Sequence, residues 1–347
     1  MTKQWNQQRK GAGRLRRRRR FAFALVVVLA IVLTPIGLGV FGTNAAKAAT
    51  PPLTMWVLPQ SGTGFLDSAV LHASKSIDLS MYVLSDQAFE ADLVARAKAG
   101  LFVRVVLNSA YDGRSENSSA ASYLKQGGVH VVFAPSSQIF HAKYLIIDNK
   151  VLYVGTGNLE SYYYSSTRDF WVEDRSASDV QAALSTFGAD FSGSSAPLAD
   201  GASLLWSPGS TSTLVNLIGD AKHSLLVENE EMNDTSIESA LEGAASRGVD
   251  VQVVMTYSSE WRTALENLRS AGVHVRVLPS SGLYIHAKVI CADCASSDAR
   301  VFIGSENFSV SSLVYNRELG VLSNFPSVVH DVRSVVLSDY AMGSSNF

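Results

Sequence analysis

The chain has 347 residues, 47% of them apolar and 17% charged, which is too hydrophobic for a disordered chain and enough for a large core. Two cysteines are too few for a disulfide-built mini-domain, and a single long apolar run excludes a polytopic membrane protein. The formal charge of −2 hides an asymmetry: ten of the 29 basic residues precede Ala49 and no acid does, which leaves 19 against all 31 acids and a body at −12.

In chain order the first element is a targeting segment. Arg16–Arg20 leads into an apolar stretch, Phe21 to Gly42, that ends in Ala46-Lys47-Ala48. A basic start, an apolar centre and small residues at an A-x-A site predict an export signal over residues 1–48, cut after Ala48. The alternative is an uncut anchor, since 22 residues can span a bilayer even with Pro35 inside. Either way the arginines stay cytoplasmic and the rest is exported, by the general or the twin-arginine route.

The mature part is a duplication with an offset of about 148 residues. Lys75-Ser76-Ile77-Asp78-Leu79 aligns with His223-Ser224-Leu225-Leu226-Val227, and Ala99–Leu107 aligns with Arg247–Met255. Gly128–Val131 aligns with Gly272–Val275, and Trp56-Val57-Leu58-Pro59 with Trp206-Ser207-Pro208. Repeats this long are domain duplications. In each half a helix (Leu66 to Ala73; Leu214 to Ala221) leads into an apolar strand. A second helix (Ala88 to Ala99; Ser236 to Arg247) precedes the strand Val103–Leu107 or Val251–Met255, and a third precedes the strand at His130 or His274. Alternating strands and helices predict an α/β fold: two tandem α/β/α sandwich domains, 54–192 and 202–347, joined by a Gly/Ser/Pro linker over 193–201.

The chemistry sits at matching points. His141-x-Lys143-x4-Asp148 is followed by Gly155-Thr156-Gly157-Asn158, and His286-x-Lys288-x4-Asp293 by Gly304-Ser305-Glu306-Asn307. His141 and Lys143 are two apart on a predicted strand that continues through Tyr144–Ile147, so imidazole and ammonium share a face, as do those of His286 and Lys288. If the halves meet about a pseudo-two-fold axis, one site gains two imidazoles and two ammoniums, a set suited to a phosphodiester. The G-[ST]-x-N glycines would let backbone approach the phosphate, with Asn158, Asn307, Thr156 and Ser305 as further hydrogen-bonding ligands. Asp148 and Asp293 belong to the candidate catalytic motif, but an odd offset from the lysine and a hairpin position in Asp148-Asn149-Lys150 make them structural members of it.

This paired pattern resembles the phospholipase D superfamily, over nearly the whole mature chain. Asn316-Arg317-Glu318-Leu319-Gly320 is similar to that family's N-R-E-L-G segment, and Thr167-Arg168-Asp169-Phe170 holds the corresponding place in the first half. The resemblance implies that Asp169 and Glu318 orient the histidines of the opposite half, and that reaction runs through a phosphohistidine. It favours His141 as nucleophile and His286 as acid/base, an order that the near-symmetry of the halves leaves open. The expected function is a phosphodiesterase that cleaves phospholipid headgroups at a membrane surface, with transfer to another alcohol possible. The alternative is a nuclease using the same site on nucleic acid. A cardiolipin synthase-type transferase and a non-catalytic phosphate- or lipid-binding protein are further alternatives. Neither a metal nor another cofactor is implied: there is no H-E-x-x-H helix, EF-hand loop, P-loop or dinucleotide fingerprint. A monomer is expected.

Other residues carry weaker signals. Cys291 and Cys294 sit in the second hairpin, and export favours a disulfide between them. The repeat-equivalent His130 and His274 read as edge or core packing rather than ligands. His72, His223 and His330 have no partner signal. Tyr162, Tyr163, Tyr164 and Trp171 could line the entrance or pack between the halves. Glu228, Glu230 and Glu231 end a strand and read as a solvated rim, with a cationic headgroup site as the alternative.

Overall fold

The structure, a computed structural model, describes residues 53–195 and 197–347. The export signal or anchor read over 1–48 lies outside the described residues. The first half contains β1 (Thr54–Leu58), α1 (Gly64–Leu71), β2 (Ser76–Met81), α2 (Gln87–Lys98), β3 (Phe102–Leu107), α3 (Gly113–Glu116) and α4 (Ser118–Gln126). It continues with β4 (His130–Phe133), β5 (Tyr144–Ile147), β6 (Val151–Gly155), β7 (Thr167–Asp174) and α5 (Ala177–Ser192). The second half repeats this as β8 (Leu204–Ser207), α6 (Thr211–Gly219), β9 (Ser224–Glu228), β10 (Met232–Asn233), α7 (Thr235–Ser246), β11 (Asp250–Thr256) and α8 (Arg262–Ser270). It ends with β12 (His274–Leu278), β13 (Tyr284–Ile285), β14 (Val289–Ala292), β15 (Arg300–Gly304), β16 (Phe308–Ser309), a π-helical turn (Ser311–Tyr315), β17 (Glu318–Ser323) and α9 (Pro326–Met342).

The two sheets have the same strand order, β1-β7-β6-β5-β2-β3-β4 and β8-β17-β15-β14-β9-β11-β12, so the duplication survives as topology. Period-2 alternation decides which face each side chain covers. Leu145 and Ile147 of β5 point to an outer core with Leu66, Phe89, Leu93 and Leu124 of α1, α2 and α4, whereas Tyr144 and Ile146 point inward. In β14, Ile290 and Ala292 face the outer core of the second half while Val289 and Cys291 face inward. The inward sets of both sheets join α5 and α9 in one shared central core, from Phe170 and Phe187 to Val301, Val332 and Val336. Two α/β/α sandwiches sharing one core is the expected fold.

Several local readings need correction. The strands begin at Tyr144 and Val289, so the H-x-K residues precede them rather than lie on them. Trp171 does not line an entrance: it is buried in the outer core of the first half. Glu228 is fully buried against Arg168 and Asp339 rather than on a solvated rim, and burial pushes its carboxyl well above its ordinary range. His130 and His274 do stand on edge strands, as expected, His130 5.1 Å from the Phe102 ring and His274 3.8 Å from Asp250.

Candidate active site

Each H-x-K segment is held by the other half. The backbone amides of His141 and Ala142 both donate to Arg317 O at 2.8 Å, and Arg317 N donates to Ile139 O at 2.8 Å. In the mirror arrangement β13 pairs in parallel with the start of β7, Tyr284 N donating to Ser166 O at 2.8 Å and His286 N to Arg168 O at 3.2 Å. Each segment therefore lies beside the strand that carries the other half's acid. That register puts Glu318 Oε2 2.8 Å from His141 Nδ1 and Asp169 Oδ1 2.8 Å from His286 Nδ1.

Both arginines of these strands also reach across. Arg168 pairs with Asp339 on α9 (2.5 and 2.9 Å), and Arg317 with Asp190 on α5 (3.1 Å). Breaking such a buried pair by removing one partner costs about 3–5 kcal/mol, because a charge is left uncompensated. These latches were not legible in the sequence, since their partners lie 171 and 127 residues apart.

The carboxylates fix the tautomers. Burial alone would raise both acids, but His141 and Lys143 hold Glu318 low, and His286 and Lys288 hold Asp169 low. An ionised acceptor at Nδ1 places the proton there, which leaves Nε2 of a neutral ring as the free nitrogen. Burial, with Lys143 and Lys288 nearby, pushes His141 down to about 4 despite the pull of Glu318. Both lysine side chains are 0% exposed, and each Nζ donates back to the carbonyl of its own histidine, Lys143 to His141 O at 2.5 Å and Lys288 to His286 O. Burial lowers Lys143 to about 7.

The remaining motif residues fall elsewhere. Asp148 accepts from Ser74 N (2.9 Å), Lys75 N (2.6 Å), Ser76 N (3.1 Å) and Ser74 Oγ (2.7 Å), and Asp293 from Lys222 N, His223 N and Ser224 N at 2.7–3.0 Å. These two carboxylates staple each hairpin to the loop ahead of β2 or β9, so they are structural members of the motif, as read, and leave the catalytic set. Asp148 and Asn149 both have positive φ (55° and 56°), as a tight hairpin requires. Cys291 and Cys294 are disulfide-bonded with Cα atoms 5.8 Å apart.

Two of the four expected phosphate ligands are also reassigned. Thr156 Oγ1 donates to Asp169 Oδ1 at 2.7 Å and accepts from Phe170 N at 2.9 Å, and Ser305 Oγ accepts from Leu319 N at 3.0 Å. These hydroxyls brace the acid-bearing strands. The asparagines keep uncommitted atoms: Asn158 Nδ2 donates to Glu160 Oε2 at 2.9 Å, while the buried side-chain oxygens of Asn158 and Asn307 have no protein partner. Packing alone already requires the motif glycines. A Cβ on Gly155 would lie 2.5 Å from the Trp171 ring, and one on Gly304 2.5 Å from Gly320 Cα. A Cβ on Gly157 would lie 2.6 Å from Asp169 Cγ. Gly157→Ala should therefore push Asp169 off His286 and lower kcat about 10²-fold with little loss of fold, as a misplacement of about 1 Å does; steady-state kinetics with a matched thermal melt checks this.

Sequence reading missed what four residues do at the site. Ser312 Oγ in the π-helical turn (2.7 Å) and Asn316 Nδ2 (3.1 Å) both donate to Glu318 Oε1. Glu306, where the first copy has Gly157, is buried with both carboxyl oxygens unpartnered, and burial raises it well above its ordinary range. Glu230 is the fourth: it is no solvated rim, since its Oε2 accepts from Lys288 Nζ at 2.9 Å and its Oε1 from Tyr284 OH at 2.9 Å. Extending the repeat alignment three residues past Val227 would have set Glu230 opposite Tyr82, whose ring centroid lies 5.1 Å from Lys143 Nζ. Among the described residues no group of three or more His, Cys, Asp or Glu could hold a metal ion.

Fold and site together define a duplicated α/β protein with one composite histidine–lysine centre. A family model described as "Cardiolipin synthase, PLD-like domain" matches residues 66–191 and again 214–339. The chain belongs to the phospholipase D superfamily, with one PLD-like repeat in each half. No curated protein matches it by sequence. Among solved structures it is similar to the polyphosphate kinase of Porphyromonas gingivalis, at a TM-score of 0.64 and 16% identity over 83% of this chain and 50% of that one. The chain thus spans half the length of that enzyme. It is also similar to the phosphatidylserine synthase of Haemophilus influenzae, at 0.62 and 11% identity over 82% of this chain and 86% of that one. Nuc of Salmonella typhimurium, a phospholipase D family member, matches at 0.37 and 23% identity over 41% of this chain and 94% of its own.

Proposed function

We propose that the protein is an exported phosphodiesterase of the phospholipase D type, which cleaves the distal phosphodiester of a phospholipid to phosphatidate and an alcohol. The observation that carries this reading is the pair of histidines, each with Nδ1 on a carboxylate of the opposite half and each beside a buried lysine. One imidazole attacks phosphorus as the other protonates the departing alcohol, and water then resolves the phosphohistidine with the second imidazole as base. Another alcohol in place of water gives transfer. The lysines face the non-bridging oxygens, where charge builds in the transition state.

Two features support a lipid over a polyanion. Glu160, Glu230 and Glu231 gather around the histidines and lysines, and a body at −12 has few cations to spare for a nucleic-acid backbone. The loops that lead from each G-[ST]-x-N segment to the acid-bearing strand expose Tyr162 (84%) and Tyr163 in one half and Val310, Val314 and Tyr315 (65%) in the other. Aromatic and apolar tips on both sides of one site suit a headgroup–acyl boundary. Tyr162→Ser with Tyr315→Ser should weaken binding to phosphatidylcholine vesicles about tenfold and leave turnover of a soluble short-chain diester within about twofold, as a loss of about 1.4 kcal/mol of membrane contact implies. Vesicle sedimentation beside a soluble assay measures both.

The deciding experiment is a pair of EDTA-treated assays on phosphatidylcholine vesicles and on single-stranded DNA. Release of choline supports the proposal, and cleavage of DNA alone defeats it. N-terminal sequencing of the exported product tests the cut after Ala48, which fails if the product begins at Met1, and absence of the protein from every extracytoplasmic fraction defeats the export part.

A further inference from the structure

Among the positions where the two halves differ at the site, one sets an aromatic ring against a carboxylate beside the motif lysine. After β2, Tyr82 packs its ring edge-on to His141 (centroids 4.6 Å apart) and beside Lys143. At the equivalent place after β9 stands Glu230, whose side chain is 21% exposed and whose Oε2 lies 2.9 Å from Lys288 Nζ and 3.5 Å from His286 Nε2. Burial alone would raise this carboxyl, but Lys288 and His286 hold it well below its ordinary range, so it is an anion at working pH. His286 therefore has a carboxylate at each ring nitrogen, Asp169 at Nδ1 and Glu230 at Nε2, with Glu160 and Lys288 as the other charges facing it. His141 has one carboxylate, Glu318 at Nδ1, and otherwise faces the ring of Tyr82 and the ammoniums of Lys143 and Lys288.

We propose that Glu230 is a positioning residue that keeps a proton on His286 Nε2, which makes His286 the acid of the first step and leaves His141 as the nucleophile. The inference rests on the phosphodiesterase reading above. In the first step the Nε2 lone pair of His141 forms an N–P bond while the P–O bond to the alcohol breaks. The electron pair of that bond takes the proton from His286 Nε2. In the second step water oxygen bonds to phosphorus, the N–P bond breaks and returns its pair to His141, and the water proton goes back to His286 Nε2. Glu230 neither gains nor loses a proton. It stabilises the charged ring before step one and after step two, and anchors Lys288 throughout.

The test compares two leaving groups in wild-type protein and in Glu230→Gln, which keeps the size and removes the charge. With short-chain phosphatidylcholine, whose alcohol needs a proton to leave, kcat/KM should fall about tenfold or more. With bis(4-nitrophenyl) phosphate, whose phenolate leaves unprotonated, the fall should be several-fold smaller than with the alkyl ester, and an unchanged thermal melt reports that the variant is folded. Glu230→Asp should recover part of the alkyl-ester loss. Equal losses with both esters would overturn the proposal. A rise in kcat/KM for the alkyl ester would overturn it too, since the carboxylate would then only compete with phosphate for Lys288. Failure of the wild-type protein to turn over either ester defeats the phosphodiesterase reading instead.

Discussion

Turnover by a His141→Ala variant is expected to fall below detection, a loss on the order of 10⁶-fold for a nucleophile that acts as a unit with its partners. His286→Ala should lose about 10²–10⁴-fold with an alkyl ester, the range of a general acid, and much less with an aryl ester. The fold should survive the first change. His141 makes one side-chain hydrogen bond, to Glu318, whose other oxygen keeps Ser312 and Asn316 as donors. Measured kcat with EDTA present, beside an unchanged far-UV spectrum, checks the point. Unchanged turnover would remove the catalytic reading and leave a phosphate- or lipid-binding protein.

A subtler change should be nearly as costly. Glu318→Gln keeps the shape of the side chain, yet its amide cannot orient at will. Ser312 Oγ and Asn316 Nδ2 both donate to Oε1, so the carbonyl of the glutamine must take that place and its NH₂ must face His141 Nδ1. A donor there forces Nδ1 to accept, which moves the ring proton to Nε2, the nitrogen that should attack. The expected loss is roughly 10⁴-fold in kcat, the scale seen when the orienting carboxylate of a serine protease triad is amidated. Adding Ser312→Ala and Asn316→Ala should let the amide flip and restore part of the rate. If Glu318→Gln alone keeps more than about a tenth of wild-type kcat, the tautomer argument is wrong.

The duplication, the strand and helix order and the H-x-K pairs could be read from residues alone, because repeat and period-2 signals are local or self-similar. The placement of Asp169 and Glu318 followed from the family resemblance. What stayed hidden has a common cause: a sequence does not say what lies across an interface. Glu228-Asn229-Glu230-Glu231 has the polarity of a solvated strand end, yet β9 ends against the other half, where one carboxyl is buried and another meets a lysine. Thr156 and Ser305 have the chemistry of phosphate ligands, but their hydroxyls are used by the neighbouring strand, a choice set by backbone groups about fourteen residues away. Asp148 and Asp293 were separated from catalysis by their odd offset and hairpin position, and the amides that donate to them lie 72 to 74 residues upstream of Asp148 and 69 to 71 upstream of Asp293.

The crosswise supply of acids and arginines has an implication for how such a chain can diverge. A single half holds a histidine without a carboxylate for its Nδ1 and an arginine without its aspartate. Two identical copies of that half, face to face, would recover both by symmetry. They would also place either Tyr82 beside both lysines or Glu230 beside both. Only unlike halves present one of each, so the two histidines have different neighbours while the crosswise acid and arginine contacts are common to both.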